Sequence, residues 1–156
     1  MSSLNHLQVA IEGAIGESTP FFLRPLKEVV SIDLDMSKVT YINSVGVKQW
    51  ILWTMKIPKG CIVTLRNCPY VIVSQAGIVL GFITPNMRIA SFRAPYICED
   101  CGFEEVRLLE MGKDYFYSTA TEPKRVHLNP DNICVKCKST NVEHDFLIDK
   151  TFKFLS

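Results

Sequence analysis

No stretch of the chain approaches about eighteen uninterrupted apolar residues, so the sequence offers no bilayer-spanning helix. Met1 to Ala14 has no cationic segment followed by an apolar one, and hence no secretion signal to read. Surplus charge is also missing. Seventeen Lys and Arg stand against sixteen Asp and Glu, a net +1, which removes the simplest electrostatic case for nucleic acid or an acidic membrane. There is no G-x-S-x-G elbow, phosphate-binding loop, H-E-x-x-H or dinucleotide fingerprint, so an enzyme is not the expectation. Internal repeats and low-complexity segments are absent too. What remains is 156 residues, 47% hydrophobic, with nine Phe, five Tyr and two Trp. That composition excludes a largely disordered chain, and the length allows one ordinary domain plus a small module. The expectation is a cytoplasmic globular protein with no membrane partner.

Six cysteines fall at 61, 68, 98, 101, 134 and 137. The last four form two C-x2-C pairs, and without a secretion signal reduced thiols point to metal before disulfides. Residues 1–97 hold nine Lys/Arg and five Asp/Glu, a net +4; residues 98–156 hold eight and eleven, a net −3. This shift places a boundary near Arg93 to Cys98, giving domains 1–95 and 96–156.

In the first domain, Leu7 to Glu12 and Val29 to Met36 read as strands. Val30, Ile32, Leu34 and Met36 share one face and Ser31, Asp33 and Asp35 the other. A turn-like Ser37-Lys38 follows, then Val39 to Ile42. Asn43 and Ser44 can each cap a helix that runs to about Ile57 and stops at Pro58. Cys61 to Leu65 is strand-like, Pro69 to Val79 helical with Pro69 in the first turn, and Ile89 to Phe92 a further strand. The pattern predicts an α/β fold with a mixed sheet and packed helices.

The segment Asp35-Met36-Ser37-Lys38-Val39-Thr40-Tyr41-Ile42-Asn43-Ser44-Val45-Gly46-Val47 resembles the strand–loop–helix signature of STAS domains, roughly D-L-S-x-V-x-x-I-D-S-S-G-L. The order of elements fits over about residues 5–95. Asn43 stands where the family has Asp, and Val45 where it has a second Ser. The resemblance implies a STAS-like fold, a protein partner of the serine-kinase or anti-sigma type, and Ser44 as the phosphorylated residue.

Physically, a phosphate on Ser44 would meet unpaired N–H groups and the positive end of the helix dipole, and could displace a partner by charge and bulk. The plainer reading is that Asn43 and Ser44 only cap the helix, a contribution of about 1 kcal/mol. Gly46 reads as relief of crowding, not as a ligand contact. At about 100° per residue, Val47, Trp50, Ile51 and Thr54 should lie on the sheet, with Lys48, Gln49 and Lys56 opposite. Leu52 then falls among polar residues and Trp53 at their border. Together with Asn43 they form either a patch for a partner or a second copy of the chain, or a surface covered by another part of the protein. Asp33 and Asp35 read as solvated carboxylates. Cys61 and Cys68 read as a small buried hydrophobe and a loop thiol.

In the second domain, each C-x2-C pair can present two thiolates from one turn, and two turns complete a tetrahedral site. Cys98, Cys101, Cys134 and Cys137 are the expected ligands of one structural zinc ion. Gly102 suits the first turn, and Lys138 suits the second less well. Tetrahedral iron on the same sulfurs or a redox C-x-x-C are the alternatives, and His127 or His144 could replace a thiolate. Phe103 to Met111 and Asp114 to Thr119 read as strands. In the tail, Val142, His144, Phe146, Ile148, Phe152 and Phe154 share one parity, as in a strand. A β-rich module of about 60 residues with little core needs such a staple, and the stretch resembles a zinc ribbon.

The leading expectation is a non-enzymatic regulatory adaptor. The alternative is a nucleic-acid-binding ribbon, with Lys124, Arg125, Lys136 and Lys138 on phosphates and Tyr115, Phe116 and Tyr117 on bases. Against it stands the module charge of −3, to which zinc on four thiolates adds about −2. A third reading is small-ligand sensing in a STAS-like cleft.

Overall fold

The computed structural model describes residues 5–16, 19 and 25–155. Residues 1–4, 17, 18 and 20–24, part of the STAS-like stretch, and Ser156 lie outside the described residues. Strands β1 (His6–Ile15), β2 (Ser31–Ile42), β3 (Ile62–Arg66) and β4 (Met87–Ile89) form a four-stranded sheet in sequence order. Helix α1 (Ser44–Thr54) links β2 to β3, and α2 (Tyr70–Ile78) links β3 to β4. The fold is therefore α/β. Among the described residues all four strands run parallel, where a mixed sheet was expected.

Alternation along β2 buries Ile32, Leu34 and Met36, while Ser31, Asp33 and Asp35 are half-exposed on the other face. Val30 departs from the expected face: it precedes the strand and is 49% exposed. The turn expected at Ser37-Lys38 is instead a bulged part of one long strand. The Asp35 carboxylate accepts the Ser37 N–H at 3.0 Å, and the register with β1 slips between Ala10 and Glu12 and again between Gly13 and Ala14. Extra residues on β2 keep the ladder while bending it. Val39 and Ile42 thereby return to the core.

The strand expected at Ile89 to Phe92 is two strands in two sheets. After β4 the chain passes Ala90, whose N–H donates to the Leu65 carbonyl at 2.8 Å, and enters β5 (Ser91–Cys98). β5 is the centre of an antiparallel sheet, between β6 (Glu104–Glu110) and β9 (Val142–His144). A bridge between Cys68 and Phe92 joins the sheets. Cys68 is fully buried, not a loop thiol, and burial pushes its pKa up. The pair β7 (Tyr115–Phe116) and β8 (Arg125–Val126) completes the strands.

The tail is not a long strand. After β9 it forms α3 (Ile148–Thr151) and a 3-10 turn over Phe152–Leu155. Helical geometry buries Phe152, Phe154 and Leu155 together, which strict alternation would not do. Rings of Phe92, Tyr115, Phe152 and Phe154 then meet at 5.4–5.8 Å. Tyr115 donates its hydroxyl to the Ile89 carbonyl at 2.6 Å, and the Ile89 N–H donates to Tyr117 Oη at 2.9 Å. Residues on both sides of the expected 95/96 boundary thus share one continuous core. No helix among the described residues is long and apolar enough to cross a membrane.

Candidate functional site

The ends of β5 and the segment before β9 bring the two cysteine pairs together. Cys98 closes β5, and Glu99 donates its N–H to the Asn141 carbonyl at 2.9 Å, which holds one turn against the other. The turns are built alike. Gly102 N–H donates to Cys98 O at 2.8 Å, and Lys138 N–H to Cys134 O at 2.9 Å. Gly102 has φ +77° and Lys138 has φ +64°, so both turns use the left-handed region. Lys138 therefore completes the second turn despite its side chain, a conformation that costs roughly 1–2 kcal/mol outside glycine.

All four sulfurs lie within 4.8 Å of one another. Cys98 and Cys137 are 3.6 Å apart, and Cys101 and Cys134 3.7 Å. A tetrahedral site with metal–sulfur bonds of about 2.3 Å has an edge of about 3.8 Å, so these two spacings match such a site and the four sulfurs together are compatible with one zinc ion. Cys98 and Cys134 are buried, Cys101 and Cys137 exposed. Backbone N–H groups of Cys137 and Lys136 at Cys134 Sγ, 3.5 and 3.4 Å away, hold that thiol down at about 7. Cys137 receives the Ser139 N–H, yet desolvation and the three other thiols push it up to about 12. Four thiolates this close are stable together only around a cation, which would close the two turns on each other. His127 and His144 are not part of this cluster.

Sequence reasoning missed the polar strap across the turns. The Asp100 carboxylate accepts from the Ser139 hydroxyl and, at 3.2 Å, from Asn141 Nδ2. These hydrogen bonds hold Asp100 below the usual carboxylate range. The available signal was positional: Asp100 sits inside the first pair, and Ser139 and Asn141 just past the second.

The N-terminus of α1 follows the expected chemistry. Asn43 is the N-cap, and its Oδ1 accepts the Gly46 N–H at 2.7 Å. Ser44 is the first helical residue and is exposed. Gly46 lies against the end of β1, where a Cβ would stand 2.1 Å from Ile15 O. The glycine is therefore required by close approach.

Farther along, the helix is rolled relative to expectation. Gly46, Trp50, Trp53 and Thr54 form the buried face, while Val47 and Ile51 are only half-buried. Trp53 is 1% exposed and so is removed from the partner-facing patch. Its ring lies 5.3 Å from that of Trp50, which stacks on Phe82 at 5.1 Å and donates Nε1–H to Phe82 O. The Trp pair fixes the roll by burying two large side chains at once. Leu52 stays outside, 44% exposed, with Val45 at 42% and Met55 at 76%.

The other candidates separate. Asp33 pairs with Arg66 at 2.9 Å, and Asp35 accepts from Ser37 and Asn67. The aromatic run offers no stacking platform: Tyr115 is buried, Tyr117 bonds Ile89, and Phe116 lies 3.8 Å under the Arg125 guanidinium. Comparison with protein-family models, curated proteins and solved structures finds nothing that matches this chain.

Proposed function

We propose that the chain is a non-enzymatic regulatory adaptor, a STAS-like protein-interaction module braced by a structural zinc ribbon. The observation that carries this reading is the outer face of α1. Ser44, Val45, Lys48, Leu52 and Met55 fall on one side of the helix, all exposed, and the two tryptophans on the other. An apolar ridge that begins at an exposed hydroxyl suits a protein contact that phosphorylation could switch. A phosphate at Ser44 would place about two negative charges at the start of that ridge. The partner would be a serine kinase or anti-sigma-type regulator, or a second copy of the chain, with Asn43 holding the helix start in place. The zinc ion, on Cys98, Cys101, Cys134 and Cys137, would have a folding role, since four thiolates leave no open position.

The nucleic-acid reading has less support. The negative charge of residues 98–156 opposes phosphate contact, and the aromatics it needs are committed to packing. The test is native mass spectrometry of protein isolated gently from its own cells, followed by binding assays with Ser44→Asp and Ser44→Ala. One zinc, a phosphate that fragments to Ser44, and a partner released by Ser44→Asp alone are the expected results. Equal binding by wild type and both variants would remove Ser44 from the mechanism.

A further inference from the structure

Between the two sheets, a cleft of about 440 Å³ opens beside the bulged part of β2, the start of α2 and strands β5 and β6. Its volume lies in the range of small-molecule sites. Two cations line it, Lys38 and Arg93, together with Ser37, Thr40 and Tyr70, and among the described residues no carboxylate does. The Tyr70 hydroxyl bonds Thr151 Oγ1 at 2.8 Å and the Ser37 side chain bonds Asp35, which leaves the Thr40 hydroxyl. The remaining walls are apolar, from Pro95 and Val106 among others.

Arg93 is the telling residue. Among the described arginines, Arg66 pairs with Asp33, Arg107 with Glu105 and Asn132, Arg88 lies over Tyr117, and Arg125 lies over Phe116. Arg93 alone makes no side-chain hydrogen bond, ion pair or ring contact among the described residues, and its Nε is buried. A buried donor without an acceptor costs stability, so its retention calls for something else to bond. Lys38 does meet Glu12 at 3.3 Å, but both side chains are about two-thirds exposed (70% and 66%). Such a pair is weak, and the ammonium can turn into the cleft.

The third contributor is α2, nine residues long, whose first residue Tyr70 and preceding Pro69 both line the cleft. This helix has no side-chain cap and no acidic residue in its first turn. The Ile72 N–H donates to the Pro69 carbonyl at 3.0 Å, which leaves the Tyr70 and Val71 N–H groups and the positive end of the dipole to an anion. A guanidinium, an ammonium within reach, the Thr40 hydroxyl and a helix start border one small volume. That donor set matches a group with several terminal oxygens, and the apolar walls match an organic body attached to it.

We propose that this cleft binds a small organic phosphomonoester. Its phosphate meets Arg93, Lys38 and the α2 N-terminus, and its apolar part lies between Val39, Pro95 and Val106. The site is separate from Ser44 and from the four cysteines, so it stands or falls independently of the adaptor reading.

The experiment uses the full zinc-loaded chain, phenyl phosphate and inorganic phosphate as probes, and amide NMR with thermal shift as readouts. Phenyl phosphate should move the Tyr70 and Val71 amide resonances and raise Tm, and inorganic phosphate should act at the same residues more weakly. Arg93→Met should weaken phenyl phosphate binding by about 10- to 100-fold, the loss of a charge-assisted contact. Without probe, its Tm should equal or exceed that of wild type, because an unpaired buried donor has been removed. Lys38→Met, at an exposed position, should weaken binding several-fold and keeps the test open should Arg93→Met not fold. Equal affinity for the two probes would overturn the organic half of the proposal. Unmoved Tyr70 and Val71 resonances at millimolar probe, or wild-type binding by Lys38→Met and Arg93→Met, would overturn all of it.

Discussion

Removing zinc from the proposed four-cysteine site is expected to unfold more than the two turns that form it. Two sulfur spacings, 3.6 and 3.7 Å, match a tetrahedral edge of about 3.8 Å. A zinc ion there is expected to contribute on the scale of the apparent gain of about 10–16 kcal/mol in small zinc domains. Without it, the two turns and the three-residue β9 lose their closure, and the second sheet loses one edge of β5. The rings resting on that sheet are then uncovered. Tyr115, Phe152, Phe154 and Leu155 are each almost fully buried. At roughly 1.5–3 kcal/mol per large apolar side chain, exposing these four forfeits on the order of 6–12 kcal/mol. A typical domain has only about 5–15 kcal/mol in total. The parallel sheet is thus not expected to outlast the zinc. The assay is favourable because both tryptophans lie in α1, on the parallel-sheet side. Trp emission reads that half, while a chromogenic chelator reads zinc release under a mercurial titration. The two curves should coincide, with a single loss of far-UV circular dichroism. Zinc released in full while Trp emission and Tm stay unchanged would refute the shared-core argument and leave two independent units.

Gly46→Ala places a Cβ 2.1 Å from the Ile15 carbonyl oxygen; the neighbour is backbone, and overpacking plus a disturbed Asn43 cap should cost about 2–4 kcal/mol by urea denaturation. The two α1 residues that the sequence grouped together should part company. Trp53→Ala should cost about 3–5 kcal/mol, whereas Leu52→Glu should leave Tm nearly unchanged and abolish the partner or dimer contact seen in binding and sedimentation assays. Acid should act through the metal turns. Asp100 is held below its ordinary value by Ser139 and Asn141, so its contribution is present above the unfolded carboxylate pKa and is lost as pH falls through the folded one. Thiolate protonation also expels zinc on acidification. Asp100→Ala should therefore raise the pH at which zinc is released, measured by the same chelator.

Much of the parallel sheet was legible because alternation survives in β2, where Ile32, Leu34 and Met36 face inward as their spacing implies. The clustering of Cys98, Cys101, Cys134 and Cys137 was legible because C-x2-C is a local pattern that needs only one tertiary event, the meeting of two turns. What escaped reading was decided at a distance. Ser37 and Lys38 look like a turn until the Asp35 carboxylate and the β1 register hold them in a bulged strand. The tail reads as a strand because its apolar residues alternate, yet Phe152, Phe154 and Leu155 must all reach the ring cluster at Phe92 and Tyr115, and only a tight helical turn allows that. The roll of α1 was misjudged for the same reason. Periodicity gives a face to within a residue or so, and the stacking of Trp50 on Phe82, thirty-two positions away, sets the rest.

These long-range effects meet on one strand. In β5 the even positions Phe92, Ala94, Tyr96 and Cys98 are buried, and Arg93, Pro95 and Ile97 are half-exposed on the other face. Phe92 seals the aromatic core, Arg93 and Pro95 line the cleft, and Cys98 belongs to the four-cysteine cluster. A strand has no joint that would let its end move while its start stays in register, because a slip of one residue turns every side chain to the opposite face. Loss of closure at Cys98 therefore acts at Arg93, five residues away. Phenyl phosphate affinity should fall with zinc occupancy even though no ligand contact is made by a cysteine. A cleft that binds equally well with and without metal would mean that β5 is held by β6 alone, whose pairing spans Ser91 to Ile97.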